Sequence, residues 1–174
     1  MYLRTNNSFE DNTVGSRLTT NAVSAYIAGF LDGDGSVMLQ IKRRSDTNRG
    51  WRFMATICLY QDTRHEEPLH WIHQQLGIGY FSRRNDGITE VRVNGFRQVA
   101  RILKQLMPYL RFKKVQAKAI HRACTILARK RVVALNKRDK EILCRCLLTV
   151  QTNNYATRSK KTYDELRNIV GLTP

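Results

Sequence analysis

A short stretch at residues 25–35 places the strongest constraint on how this chain folds. Ala25, Gly29 and Gly33 recur every four residues, so one face of the predicted helix has almost no side-chain bulk and another backbone can approach it closely. The Asp-Gly-Asp-Gly turn that follows contains glycines, which tolerate unusual backbone angles, so it ends the helix and presents Asp34 there. The stretch predicts a closely packing helix beside an acidic turn; an ordinary amphipathic helix with a C-terminal turn is the alternative.

The distribution of charge indicates a polyanionic partner. The chain of 174 residues has a net charge of +16 and a pI near 10.2. Residues 97–161 contain 18 lysines and arginines but only two acids, so this region accounts for the whole excess. A field of one sign is uncommon on a surface that binds nothing, and nucleic acid is the expected partner. A solvated basic surface is the alternative interpretation.

Composition and cysteine spacing limit the class of protein and its compartment. A hydrophobic content of 42% supports a globular core, and no apolar run is long enough to span a membrane. The four cysteines form no CxxC pair, which suits a reducing, intracellular compartment; an organelle (chloroplast or mitochondrion) and a prokaryotic cytoplasm both fit. We expect a polar N-terminal arm over residues 1–21, a folded core over residues 22–131 and a basic helical tail over residues 132–174.

Hydrophobic periodicity predicts two β-hairpins separated by a helix. Apolar and polar residues alternate in four segments, which is the pattern of half-buried strands. Thr162 and Glu165 have capping-box spacing for a final short helix. The predicted fold is α+β, an αββαββα core with a four-stranded antiparallel sheet, helices on one face and a helical C-terminal tail. The predicted strands are residues 36–44, 52–61, 79–84 and 88–94. Further helices are expected at 68–76, from Phe96 until Pro108 disturbs the pattern, at 113–131 and at 139–150.

The face of the sheet without helices carries side chains suited to double-stranded DNA. Basic groups can contact phosphates there, and Gln40, Thr56 and Glu90 can read base edges in the major groove. A strand of about 8 residues covers ~26 Å, or roughly 8 base pairs. A solvated sheet face is the alternative. The candidate DNA-binding residues on this face are Met38, Gln40, Lys42, Arg44, Arg52, Met54, Thr56, Cys58, Ser82, Arg84, Glu90 and Arg92.

The acidic turn occurs once, so one chain supplies half of a symmetric site. Packing of the small-residue face against a second copy across a two-fold axis would bring both Asp34 side chains to the centre. Two carboxylates and backbone carbonyls suit Mg²⁺, a hard cation that takes oxygen ligands, and activated water can then attack phosphorus. Two sheet surfaces with a central gap would read about 20 base pairs.

Residues 25–35 resemble the signature of the LAGLIDADG homing endonucleases, and the likeness to the single-motif, homodimeric members covers roughly residues 22–131. The resemblance implies that the motif helix forms the dimer interface and that the Asp34 side chain and the Gly33 carbonyl bind the metal. It also implies that Gln61 positions the hydrolytic water and that Lys113, in the segment Pro-Tyr-Leu-Arg-Phe-Lys, supports the solvent pocket. The implied interface residues are Ala25, Ala28, Gly29, Asp32 and Gly33.

Two further assignments follow from the same resemblance. Close relatives place an arginine just after the second strand where this chain has His65, with Arg64 beside it, and either side chain can organise water or neutralise phosphate. A surface histidine is the alternative. Residues 153–161 resemble a phosphate-gripping loop, with a basic linker as the alternative. The residues that would hold the DNA backbone in this loop are Thr157, Arg158, Lys160 and Lys161.

Together these observations predict a homodimeric, metal-dependent DNA endonuclease that makes a staggered double-strand break at a long pseudo-palindromic site, as intron homing requires. Mg²⁺ is the expected metal, with Mn²⁺ also accepted. An intron RNA maturase that uses the basic region 97–145 is one alternative, and a noncatalytic DNA-binding regulator is another. The joint presence of Asp34, Gln61 and Lys113 argues against the regulator, because binding alone requires none of their roles.

Overall fold

The first helix, α1, spans Asn21–Asp34 and ends differently from the sequence-based expectation. The computed structural model of the chain describes residues 20–45, 50–155 and 160–172. The Thr20 hydroxyl caps α1 by accepting the Val23 N–H at 3.2 Å. At the other end Gly35 has an extended backbone, with φ −134° and ψ 174°, and so does not adopt the unusual backbone angles expected of the glycines in this turn. Glycine is required there for another reason, since a Cβ would lie 2.6 Å from Leu31 Cδ1 and 2.8 Å from the Leu31 carbonyl oxygen.

Four strands form one antiparallel sheet, as predicted. In this sheet the first strand lies at one edge and the fourth strand lies between the second and the third. Alternation places Val37, Ile57 and Val93 side by side on the inner face, where apolar side chains meet the helices. Gly87, at φ 79°, completes the turn between the last two strands. The strands are β1 Gly35–Arg43, β2 Trp51–Asp62, β3 Tyr80–Arg83 and β4 Ile88–Asn94.

The remaining helices pack on the same inner face, so the other face of the sheet carries none of the described helices. Gly77, at φ 60°, ends the helix between the hairpins where the sequence predicted. The predicted capping box of Thr162 and Glu165 is confirmed, and α5 continues three residues beyond its predicted end at 150. The helices are α2 Glu67–Leu76, α3 Phe96–Leu106, α4 Lys114–Arg129, α5 Lys137–Asn153 and α6 Tyr163–Ile169, with short 3-10 turns at Thr63–His65 and Val132–Ala134.

One hydrophobic core joins all of these elements, from Ile27 in α1 to Leu172 after α6. Helices α1 and α3 pack on β2, whereas α4 and α5 pack on β1. Across the ranges that the structure describes, no helix is both long and apolar enough to cross a membrane. This arrangement holds the C-terminal end of α1, with its acidic residues, next to the first residues of β1 and α4.

Candidate nucleic-acid interface and hydrolytic site

The motif helix α1 has two chemically different faces. Its buried face includes Ala28, Leu31 and Asp32, which lie in this chain's own interior, whereas Gly29 and Gly33 are exposed. A Cβ added to either exposed glycine would meet nothing within 4 Å, so packing within one chain does not require glycine there. Ala25, Gly29 and Gly33 therefore form an open strip, with room for a closely approaching partner.

Two residues assigned to the dimer interface do not lie on this open strip. Ala28 and Asp32 are buried within the chain, at 0% and 9% exposure, so the expectation that they face a partner is wrong. The physical reason is angular, because a helix turns about 100° per residue, which places positions 28 and 32 on the flank shared with Leu31.

Asp32 instead holds the segment that precedes α4. Its carboxylate accepts hydrogen bonds from the backbone N–H groups of Arg111 at 2.6 Å, Phe112 at 3.1 Å and Lys113 at 2.9 Å. A carboxylate that satisfies three backbone donors fixes a loop strongly, because each bond is charge-assisted. Sequence reasoning missed this role because the bonded residues are 79 to 81 positions away.

Lys113 lies against the acidic end of α1, as its predicted catalytic role requires. Its Nζ donates to the Asp32 carbonyl oxygen at 2.5 Å. Burial lowers the pKa of Lys113, while the negative charges of Asp32 and Asp34 act in the opposite direction. The ammonium group is therefore held in a partly desolvated position within electrostatic reach of Asp34, which is exposed at the last position of α1.

Gln61 lies near the same end of α1. Leu59 pairs with Gly35 at the start of β1, and Gln61 follows two residues later in β2. Its side-chain oxygen accepts the Asp62 N–H at 2.9 Å, which orients the amide and leaves the nitrogen to donate elsewhere. The fold thus brings Asp34 and Lys113 together at the end of α1 and places Gln61 in the strand that pairs with β1.

His65 and Arg64 occupy the 3-10 turn after β2, and both are exposed. Arg64 is engaged by Asp62, to which it donates through Nε at 3.0 Å and Nη2 at 2.8 Å. This hydrogen bonding holds the pKa of the Asp62 carboxyl well below its usual range. Arg64 is thus already paired with a carboxylate, and the role of either residue stays a prediction.

The outer face of the sheet is less open than alternation predicted. Gln40, Lys42, Arg52 and Arg84 are exposed, but Cys58 is 0% and Glu90 is 1% exposed. The Glu90 carboxylate accepts hydrogen bonds from Arg84 Nη1 at 3.2 Å and from Arg92 Nε. Five other residues that were predicted to bind DNA on this face are half-buried in the structure: Met38, Arg44, Met54, Ser82 and Arg92.

Three side chains that were expected to contact DNA are therefore covered. Thr56 is 6% exposed and donates to Asn94 Oδ1 at 2.7 Å, so its hydroxyl is already used. Cys58 and Glu90 lie beneath longer neighbours on adjacent strands, and the expectation that these three side chains are accessible to DNA is wrong. Burial raises the pKa of the Cys58 thiol, as expected for a small apolar packing residue.

The C-terminal segment attaches to the edge of the sheet through contacts that sequence reasoning did not find. Asn154 Nδ2 donates to the Val37 carbonyl at 3.2 Å, and the Lys161 N–H donates to Gln151 Oε1 at 3.0 Å. Lys161 and Lys113 line one groove of about 820 Å³. Lys160 is exposed, whereas Thr157 and Arg158 lie outside the described residues.

The end of α1 offers oxygen ligands that fit a divalent cation. Asp34 has an exposed carboxylate, and the last carbonyl groups of α1, including that of Gly33, have no helical N–H partner because the helix ends there. Hard cations such as Mg²⁺ take a few such oxygens and complete their shell with waters and phosphate oxygens. Residues 20–45, 50–155 and 160–172 contain no cluster of three or more His, Cys, Asp or Glu side chains that could hold a metal.

A basic sheet face beside an exposed carboxylate and a partly buried lysine supplies groups that a DNA endonuclease uses to contact phosphates and to hold a metal. Comparison with known sequences agrees, since the LAGLIDADG endonuclease profile matches residues 27–122. The chain belongs to the LAGLIDADG endonuclease family.

Individual members of the family are similar over most of the chain. The DNA endonuclease I-CvuI of Chlorella vulgaris is 31% identical over 137 residues, which cover 79% of this chain and 81% of that protein. The DNA endonuclease I-CreI of Chlamydomonas reinhardtii is 30% identical over 95 residues, covering 55% and 58%. The crystal structure of I-CvuI in complex with its target in the presence of calcium superposes with a TM-score of 0.73 and 26% identity, covering 88% of this chain and 98% of that one.

Proposed function

We propose that this endonuclease acts as a homodimer on a DNA site of about 20 base pairs and that Mg²⁺ is its metal. The observation that carries the proposal is the position of Asp34, exposed at the end of an open small-residue strip and within electrostatic reach of Lys113. I-CvuI has been crystallised with its DNA target in the presence of calcium and with DNA in the presence of magnesium, which supports a divalent metal.

The dimer forms by packing of the strip of Ala25, Gly29 and Gly33 against its symmetry copy. A two-fold interface of this kind is self-complementary, so both Asp34 carboxylates lie near the axis. Beside the small-residue strip lies an exposed apolar patch. In this patch the rings of Tyr26 and Trp71 pack edge to face, with their centroids 5.2 Å apart. Buried area beside the glycine contact would add to the affinity of the dimer.

Target DNA lies along the open face of the sheet. Arg52, Lys42 and Lys160 contact phosphates, and Gln40 presents an amide to base edges. β1 has 9 residues and covers about 30 Å, or roughly 9 base pairs. Two copies with a central gap therefore account for a site of about 20 base pairs.

Each cut is a hydrolysis of one phosphodiester bond. When bound, the metal supplies an activated water and neutralises charge on the phosphate. Gln61 orients that water with its amide, and Lys113 donates hydrogen bonds that stabilise negative charge in the solvent pocket. His65 balances charge on the neighbouring phosphate.

The candidate target is DNA in which the two sequences that flank the intron with the coding frame are joined. Cleavage of this DNA tests the proposal. With Mg²⁺, the protein should cut both strands, and Asp34→Asn should bind the same DNA without cutting it. Asp164→Asn, which makes the same charge change at an exposed position of α6, is the matched control and should cut normally. Undiminished cutting by Asp34→Asn would remove Asp34 from the metal site.

A further inference from the structure

Most of the net positive charge lies on residues that are assigned neither to DNA contacts nor to hydrolysis. The excess of 16 positive charges belongs to residues 97–161, which form helices α3, α4 and α5 and the segment after them. On the sheet, Arg84 and Arg92 are partly neutralised by Glu90. Binding of DNA to the sheet therefore does not use most of the lysine and arginine side chains of the helices.

A groove of about 530 Å³ between α4 and α5 concentrates part of this charge. Lys118 and Arg122 form one wall, and Arg138 and Arg145 form the other. All four side chains are exposed, and none makes an ion pair within the part of the chain that the structure describes. Cations that face each other repel unless an anion lies between them. Glu141 is the one acid among the residues that line this groove, so the groove keeps a net charge of +3 and attracts an anion.

The floor of this groove is apolar, which restricts the kind of anion that fits. Val115 is 53% exposed, and Ala119, Ile142 and Cys146 complete the apolar lining. A ligand with negative charge at its edges and a flat apolar surface at its centre would match both the basic walls and the apolar floor. A polynucleotide strand with unpaired bases has this distribution, whereas a duplex keeps its bases stacked inside.

The dimensions of the groove favour the same ligand. The axes of two packed helices are about 8–10 Å apart. The groove between them is therefore wide enough for one polynucleotide strand but too narrow for a duplex. Lys118 and Arg122 are four residues apart on α4, about 6 Å along the helix axis. Glu141, half-buried on the α5 wall, is unfavourable beside a phosphate but can accept a hydrogen bond from a base amino group or a ribose hydroxyl.

We propose that the α4–α5 groove binds an unpaired polynucleotide strand, with the backbone along the basic walls and the bases on the apolar floor. The groove belongs to the helical layer, while Gln40 and Lys42 lie on the opposite face of the sheet. The two sites can therefore be occupied at the same time. Binding in this groove does not depend on the roles of Asp34, Gln61 or Lys113, so it can be tested separately from the cleavage mechanism.

Fluorescence anisotropy with a labelled oligothymidylate of about 12 nucleotides, in EDTA and at several salt concentrations, tests the groove. A strand whose phosphates contact all four cations should show a slope of log affinity against log salt of about −2.8. The variant Arg122→Gln with Arg138→Gln removes two of the contacts, so its slope should be shallower by about 1.4. Between about 50 and 200 mM salt the parent should then lose about 7-fold more affinity than the variant.

The matched control is Arg97→Gln with Lys104→Gln, which makes the same charge change at exposed positions of α3. The control should keep the parent slope. Tighter binding of an oligouridylate than of the oligothymidylate would support a hydrogen bond from a ribose hydroxyl to Glu141. Equal slopes for the groove variant and the control would overturn the proposal. An equally large groove-dependent change with a duplex of the same length would also overturn it, because a duplex cannot place its bases on the floor.

Discussion

Replacing Gly29 by leucine should change the stability of the single chain and of the proposed dimer in opposite directions. Gly29 is exposed in the interior of α1, and a Cβ there meets nothing within 4 Å. Leucine is a much better helix former than glycine, so Gly29→Leu should stabilise the isolated chain by about 0.7 kcal/mol. This gain needs no new contact, because it comes from the conformational freedom that glycine loses on folding.

The same side chain should weaken the dimer. If two α1 helices pack through the small-residue strip, two-fold symmetry inserts a leucine from each copy into the contact. Overpacking costs about 1–3 kcal/mol per site, so the two leucines together cost about 2–6 kcal/mol. The dissociation constant of the dimer should rise at least about 30-fold.

Two measurements separate these effects. Sedimentation equilibrium gives the dissociation constant, and urea unfolding at a concentration where the protein is monomeric gives the stability of the chain. Asn168→Leu, at an exposed position of α6, adds the same side chain away from α1 and should leave association unchanged. A dimer that is equally tight or tighter with Gly29→Leu would refute the interface, and a less stable monomer would refute the open geometry around Gly29.

Three further predictions concern groups around the end of α1 and the neighbouring hairpin. Lys113→Met removes the ammonium group that donates to the Asp32 carbonyl, so single-turnover cleavage should fall about 10²–10³-fold with DNA affinity retained; an unchanged rate would exclude Lys113 from the solvent pocket. Asp32→Ala deprives three backbone N–H groups of their acceptor and should lower the free energy of unfolding in urea by about 3 kcal/mol, whereas a loss no larger than that of Asp164→Ala would contradict this role. Hydrogen bonds from Arg83 and Thr89 lower the pKa of Glu66 to about 2, so its stabilising contribution is complete above about pH 4.5 and is lost as the pH falls toward 2. Melting temperatures of Glu66→Gln should be less pH-dependent in that window, and parallel curves for the two proteins would count against it.

The sequence predicted the elements and the sheet well because those depend on local periodicity. The alternation in β1 correctly separated Val37 and Leu39 from Gln40. Alternation did not reveal that Cys58 and Glu90 are covered, because it assigns a face but not the length and direction of neighbouring side chains. Burial on the outer face depends on which arginines cross adjacent strands, and that is a tertiary property.

The candidate site was predictable only where local pattern and family resemblance coincided. Asp34 follows from the acidic turn, and the fold places Lys113 beside it. The link from Asp32 to residues 111–113 depends on chain segments that meet only in the folded protein, so no local pattern indicates it. Ala28 was assigned to the interface from the signature as a whole, although its angular position on the helix turns it inward.

The buried Glu90 has a consequence for how this protein can change its DNA target. Its carboxylate orders Arg84 and Arg92 together, so replacing either arginine leaves a buried acid with half of its partners. A new preference at those two positions therefore requires coordinated substitutions, including one at Glu90 itself. Gln40 and Lys42 are exposed near the end of an edge strand and can be exchanged one at a time. Changes in target preference should therefore arise more readily at Gln40 and Lys42 than at Arg84 and Arg92, which have to change in linked steps.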